Sequence, residues 1–353
     1  MAGPDPAVAR LRSAVRPGLT GSARPVLVAC SGGADSLALA AAIAFEAPRA
    51  GVPAGAVTVD HGLQPGSADR AAATAALLRD LDLDPVLVRR VEVGDDGGPE
   101  GAARAARHDC LAAAAAPLDA RVALGHTLDD QAETVLLGLG RGSGPRSVAG
   151  MVEQRESGGT TWWRPLLAVR RETTRAACAA AELPVWDDPW NADPAYTRAR
   201  LRTEVLPLLE DVLGGGVAGA LARTAAMLRE DLEDLDVLAD AELRRLRADG
   251  PADGGLPADA LTALPDALRR RVLRGWLRAA GIPDLQAVHL AGVDALLTRW
   301  RGQGTVALPG GAGVVRVSGR LVLSAAGNGA AGNGPEPPAH PGPAPPDSEE
   351  FRP

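Results

Sequence analysis

Ser31-Gly32-Gly33-Ala34-Asp35-Ser36 joins an apolar run, Val26-Leu27-Val28-Ala29-Cys30, to a helical pattern that begins at Leu37. A β-branched strand that stops in Ser-Gly-Gly and opens a helix is suited to holding phosphate. Glycines bring backbone N–H groups close to the anion, and the helix N-terminus adds partial positive charge. The loop differs from the G-x-x-x-x-G-K-[ST] pattern in having no lysine and in carrying Asp35. An acidic group beside phosphate calls for a metal. The chemistry that fits is pyrophosphate as a leaving group, with Mg²⁺ between Asp35 and the phosphate oxygens. The plainer reading is a strand-to-helix turn with a serine cap, and the full hexapeptide after a buried strand argues against it.

Two further clusters bring charge together. Gly125-His126-Thr127-Leu128-Asp129-Asp130-Gln131-Ala132-Glu133-Thr134 follows the apolar run Arg121-Val122-Ala123-Leu124. A helix capped by Thr127 puts Asp130 and Glu133 on one face within two turns. Acidic side chains there also suit the helix dipole, yet so many polar residues at the end of a buried strand favour function. The paired carboxylates are candidates for Mg²⁺ or for the ammonium of an amine substrate. Arg141-Gly142-Ser143-Gly144 reads on its own as a helix C-cap. Glu100, Arg104 and Arg107 share a helix face in the manner of a surface ion-pair ladder, and Arg107 on that face is within reach of phosphate. The third cluster is Trp186-Asp187-Asp188-Pro189-Trp190-Asn191, followed by Tyr196-Thr197-Arg198-Ala199-Arg200-Leu201-Arg202. Arginines two apart cannot share a helix face, so an extended or turning segment is expected near Arg198. Arginines beside aromatic rings are also how single-stranded RNA is held.

The elements that must position these residues alternate. Strands are expected at Val26–Cys30, Ala56–Val59, Pro85–Val88 and Arg121–Leu124, and helices at about 68–81, 100–115 and 128–139. Such alternation implies βαβ units and an α/β, doubly wound, mostly parallel sheet, with ligands beyond the carboxyl ends of the strands. All three motifs at those ends, Ser31–Ser36, Asp60-His61-Gly62 and His126–Glu133, are placed accordingly. Gly214-Gly215-Gly216 is a break. Beyond it come a long helix over about 220–247, a linker at 250–257, a basic helix over 264–280 and a small strand-rich end over 306–323 that turns at Gly310-Gly311. The expected organisation is an N-terminal helical extension (1–23), a catalytic domain (24–213), a smaller, mainly helical substrate domain (217–324) and a disordered tail (325–353).

A net charge of −7 argues against a protein that coats nucleic acid generally, so RNA contacts would come from local arginine clusters such as Arg269-Arg270-Arg271, Arg274 and Arg278. The chain contains no lysine, which removes Schiff-base chemistry. Cys30, Cys110 and Cys178 are far apart and suggest neither a disulfide framework nor a metal motif, as expected for a reducing cytoplasm. No stretch is apolar for long enough to span a membrane.

The hexapeptide resembles the SGGxDS loop of the N-type ATP pyrophosphatases, or PP-loop proteins, which cleave ATP to AMP and pyrophosphate in a Rossmann-like fold. Taken in order, the motifs resemble the tRNA(Ile)-lysidine synthase family. These are Ser31–Ser36, Val59-Asp60-His61-Gly62-Leu63, His126–Thr134, Arg141–Gly144, Gly150-Met151, Arg164-Pro165-Leu166-Leu167, Asp188-Pro189-Trp190-Asn191, Arg198–Arg202 and Val205-Leu206-Pro207. The match spans about residues 24–210. Two positions depart from the family pattern. Trp190 stands where Ser is usual and Ala199 where Asn is usual, and both bear on the tRNA or lysine pocket.

The resemblance implies a two-step reaction. The C2 oxygen of the wobble cytidine of tRNA(Ile) with a CAU anticodon attacks the α-phosphorus of ATP, releasing pyrophosphate. The side-chain amine of L-lysine then attacks C2 and expels AMP, so that reading shifts from AUG to AUA. It further implies that Ser31, Gly32, Gly33, Ala34, Asp35 and Ser36 bind the nucleotide and that Asp35 and Asp130 carry Mg²⁺. Arg107 and Arg202 would neutralise charge at the α-phosphate. Asp130 and Glu133 would attract the lysine cation, and one of them or His126 would accept its proton. The partners implied are tRNA(Ile), L-lysine and ATP in the cytoplasm, with no membrane and with a homodimer as the candidate assembly. A tRNA thiolase would be expected to show paired cysteines and a glutamine-dependent synthetase a glutaminase nucleophile. A nucleotide-binding regulatory module would leave Asp35, Asp130 and Glu133 idle.

Overall fold

A computed structural model of the chain describes residues 3–60, 62, 66–91, 99–142, 144–248 and 254–324. His61, Leu63, Ser143, part of the 250–257 linker and the tail from 325 lie outside these residues, as do the side chains of Glu100, Arg104 and Asn191. The chain divides into two compact units, residues 1–232 and 233–353.

The first unit opens with helix α1 (Pro6–Leu19), whose first turn is held by Asp5 accepting the Ala7 N–H at 2.8 Å. Leu11, Val15 and Leu19 recur every four residues, so one stripe is buried. There follow β1 (Val26–Ala29), α2 (Ala34–Glu46), β2 (Ala54–Asp60), α3 (Ser67–Asp80), β3 (Val86–Arg90), α4 (Pro99–Ala115), β4 (Arg121–Leu124), α5 (Leu128–Arg141) and α6 (Pro145–Val148). Next come β5 (Gln154–Ser157), β6 (Thr160–Trp163), α7 (Arg171–Ala180), α8 (Thr197–Arg200), a π-helical turn (Leu201–Val205), α9 (Leu206–Val212) and α10 (Val217–Ala248), whose residues from 233 onward belong to the second unit. The sheet order is β3-β2-β1-β4-β6-β5, parallel except for the β5–β6 pair. β1 and β4 are buried at every residue, as central parallel strands covered on both faces must be.

The alternation expected from the sequence therefore forms, and the strand order reverses about β1 and β4. That reversal opens a crevice beyond their carboxyl ends. The β5–β6 hairpin was not anticipated, because β5 is wholly exposed and polar and carries no strand signal of its own. Its turn uses Gly158 and Gly159, both at positive φ. A second difference lies at Arg198. The segment is helical, not extended, and passes from α8 into the π-helical turn.

In the second unit, β7 (Leu256–Pro257), α11 (Ala258–Thr262), α12 (Asp266–Ala279), α13 (Ala287–Thr298), β8 (Val306–Ala307), β9 (Gly313–Val317) and β10 (Arg320–Ser324) form a small fold of their own. Its sheet order is β7-β10-β9-β8, antiparallel throughout. The core gathers Leu243, Leu261, Leu273, Trp276, Val293 and Leu321. Arg269, expected as a candidate phosphate contact, is instead buried and bonded to Asp294 at 2.7 Å and Asp266 at 2.8 Å. Arg270 and Arg271 also lie in ion pairs, with Asp266 and Asp236 respectively. Among the described residues no single helix is long and apolar enough to cross a membrane.

Gly138 sets how closely α5 lies against α6, since a Cβ there would overlap the Ser147 carbonyl. Gly138→Ala is expected to cost about 1–3 kcal/mol through overpacking. Urea or thermal unfolding measures it, and an unchanged midpoint would refute this account of the contact.

Candidate functional site

The phosphate loop is closed by its own side chain. Ser36 Oγ accepts the Ser31 N–H at 3.2 Å and donates to the Gly33 carbonyl at 2.9 Å. The Ser36 hydroxyl thus shapes the loop. Gly32 has φ +84°, and a Cβ there would crowd Thr74 Oγ1, so both backbone and space demand glycine. Gly33 is the N-cap of α2, which puts Ala34, Asp35 and Ser36 in its first turn. The neighbouring strand approaches as closely as backbone permits. A Cβ on Gly125, just after β4, would lie 2.9 Å from the Asp35 carbonyl oxygen.

Two cavities of the first unit share this loop. One, of about 280 Å³, runs from Ser31 and Gly33 past the end of β2 to Arg70, Trp186 and Trp190. The other, of about 490 Å³, faces Asp35, His126, Asp130, Arg171 and Arg202. Arg107 and Trp186 line both, so the expected arginine on α4 stands at the wall between them.

The second cavity is built on α5. Thr127 caps this helix, and Asp130 closes the capping box, its Oδ2 accepting the Thr127 N–H at 2.8 Å and hydroxyl at 2.9 Å. The other Asp130 oxygen faces a guanidinium, so one carboxylate serves both the helix and the site. That guanidinium belongs to Arg171, the first residue of α7. Arg171 donates from Nε to Asp35 Oδ2 at 3.0 Å, from Nη2 to Asp130 Oδ1 at 2.5 Å and from Nη1 to Glu133 Oε1 at 3.3 Å. Thr174, one turn further along α7, donates its hydroxyl to the remaining oxygen of Asp35.

Glu133 is fully buried and lies behind the arginines, not at the cavity surface where a substrate would meet it. Arg202 grips it through Nε at 2.8 Å and Nη2 at 3.2 Å, and Arg198 lies 3.8 Å away. The helical path through residues 197–205 explains this convergence. Arg198 and Arg202 are four apart and face inward together, while Arg200 turns out to Glu204 at 3.0 Å.

Electrostatics follow from the packing. Burial pushes the Asp35 carboxyl above the usual range, although Arg171 and Thr174 pull against it. At Asp130 burial also pushes upward but is outweighed by Arg171 and the Thr127 N–H, so its carboxyl sits below the usual range. The stability Asp130 contributes is therefore present above its unfolded value and is lost as pH falls below about 4. Burial would lower Arg171, but the three acids raise its guanidinium above its ordinary value.

Arg171 escaped the sequence reading, and so did its neighbour Arg170, which pairs with Asp129 at 3.4 Å and Glu210 at 3.4 Å. One signal was present. Arginines opening a helix sit at the end that the helix dipole makes unfavourable for cations, so they require acidic partners from elsewhere.

A PP-loop domain model matches residues 7–209, and a TilS substrate binding domain model matches residues 256–322. The tRNA(Ile)-lysidine synthase of Streptomyces coelicolor is 53% identical over 353 residues, covering 91% of this chain and 99% of its own. That of Salinispora tropica is 54% identical over 327 residues, covering 91% and 97%. Among solved structures, the U34-tRNA thiolase NcsA from Methanococcus maripaludis aligns with a TM-score of 0.52 at 18% identity, covering 64% of this chain and 80% of its own. That last likeness is one of fold.

Gly125→Ala is expected to push the first turn of α2 aside and lower ATP cleavage by about a hundredfold, as small misplacements of reacting groups do. Pyrophosphate release, measured beside a circular-dichroism melt, checks it. Full activity in a folded variant would show that the close approach is not needed.

Proposed function

We infer the reaction from one premise: the chain belongs to the tRNA(Ile)-lysidine synthase family. It uses ATP to ligate L-lysine to C2 of the wobble cytidine of tRNA(Ile) with a CAU anticodon, releasing pyrophosphate and AMP. The observation that carries this reading in the geometry is the phosphate loop set between two cavities, one lined by Trp186 and Trp190 and the other by acids and arginines. The first suits a nucleoside, and the second suits a base carbonyl and an amine.

In the first step the C2 oxygen attacks the α-phosphorus and pyrophosphate leaves. Backbone amides of Gly32–Asp35 receive it at the start of α2. Arg107 and Arg202 oppose the charge that develops at the α-phosphate. Mg²⁺ fits the donors available. Asp35 and Asp130 each bond the same guanidinium, so they lie close enough to share a cation, and Mg²⁺ ordinarily takes one or two carboxylates with phosphate and water. Among the described residues no group of three or more His, Cys, Asp or Glu is placed to hold a metal, so the remaining ligands come with the nucleotide. When bound, the ion neutralises the leaving pyrophosphate.

In the second step the lysine amine attacks C2 and AMP leaves. Asp130 draws the ammonium in, and His126 accepts its proton. The imidazole lines the cavity, whereas a carboxylate held low is a weak base. Glu133 acts through Arg171 and Arg202 by fixing where they point. Residues 24–213 carry this chemistry and 217–324 recognise the tRNA, in the cytoplasm where ATP and tRNA meet.

Incubation with ATP, labelled lysine and tRNA transcripts tests the reading. Label should stay only on tRNA(Ile) with the CAU anticodon. Label on other tRNAs, or AMP release independent of lysine and RNA, would sink it. Asp35→Ala is expected to abolish pyrophosphate release with the fold intact. His126→Gln should leave pyrophosphate release in place and slow lysine transfer by about a hundredfold or more; equal loss of both steps would remove His126 from the proton-accepting role.

A further inference from the structure

We propose that Arg171 is the resident counter-cation of the nucleotide-free site, filling the place between Asp35 and Asp130 that Mg²⁺ takes with ATP and yielding it when the nucleotide binds. The proposal rests on the reading that these two aspartates hold Mg²⁺. Every oxygen of the pair already has a donor. Asp35 Oδ2 takes Arg171 Nε and Oδ1 takes Thr174, while Asp130 Oδ1 takes Arg171 Nη2 and Oδ2 takes Thr127. A cation shared by the two acids therefore meets the charge of the guanidinium, which holds one oxygen of each, until that group moves.

The surroundings allow that movement. The backbone of Arg171 is pinned separately, its N–H donating to Asp129 Oδ2 at 2.8 Å, so the side chain can leave without unwinding α7. The guanidinium lines the cavity beside the phosphate loop, where an incoming triphosphate offers it new acceptors. Glu133 is not stranded by its departure, because Arg202 keeps both of its oxygens. Asp35 has no second cation within bonding distance among the described residues, and Asp130 keeps the 3.6 Å contact to Arg202 and the attraction of His126. Those two acids, and not Glu133, then need a cation from outside. A guanidinium suits the waiting role because it never deprotonates. The site is thus neutralised without metal, and the ion enters as part of the nucleotide complex.

The test is Mn²⁺ binding, followed by electron paramagnetic resonance on the full chain. Without nucleotide the natural protein should show no Asp35-dependent Mn²⁺ site. Arg171→Met and Arg171→Gln should each bind Mn²⁺ at least about tenfold more tightly than the natural protein. They should also melt at a higher temperature when Mg²⁺ is added, and Asp35→Asn in either background should remove both effects. If the variants fold only with a cation present, recovery by Mg²⁺ is the expected result, and failure to recover overturns the proposal. It is also overturned if the natural nucleotide-free protein binds Mn²⁺ through Asp35, if the variants gain nothing, or if L-lysine stabilises them in place of Mg²⁺. A separate arm with ATP present examines the underlying reading. Mn²⁺ bound there without dependence on Asp35 would defeat the metal assignment itself.

Discussion

Three carboxylates, from Asp35, Asp130 and Glu133, converge on one guanidinium at the end of a buried sheet. Like charges so close in a partly dry setting repel strongly, and a buried acid without a partner would take up a proton instead. Arg171 resolves this by giving each acid its own nitrogen. The geometry then constrains much of the first unit. α7 must start where its first residue can reach, and the loop after β1 must bring Asp35 inward. α5 must begin with a cap that turns Asp130 towards the same point.

The two halves of the chemistry were unequally legible. The loop at Ser31–Ser36 announces itself because a local pattern, strand then glycines then helix, contains its whole reason for existing. The start of α5 is similar. Thr127 and Asp130 are three apart, and the capping box they form is a local device visible in the residue types. Arg171 is different in kind. It meets Asp35 across 136 residues of chain and Asp130 across 41. Periodicity does not encode such a contact, and only the awkwardness of a cation at a helix N-terminus hints at it.

The arginine run at 198–202 shows the opposite fault. Alternation of Arg, Ala, Arg, Leu, Arg suggested an extended or turning segment, because neighbours two apart cannot share a helix face. The relevant pair was Arg198 and Arg202, separated by four, with Arg200 serving the surface. Glu133 was singled out from its spacing to Asp130, yet its complete burial, which sets it behind the arginines, depends on how α5 meets the π-helical turn.

That π-helical turn bears on how this region can vary. A π turn accommodates one residue more than the α-helix it interrupts, and such turns recur at functional sites. Removing one residue between Arg198 and Arg202 would restore ordinary helix and swing the second arginine by roughly a quarter-turn or more, about 100° for each residue. Replacement of the intervening side chains leaves the spacing untouched. Over these residues, lineages descended from this chain should therefore vary at exposed Arg200 rather than at buried Ala199, while their length stays fixed.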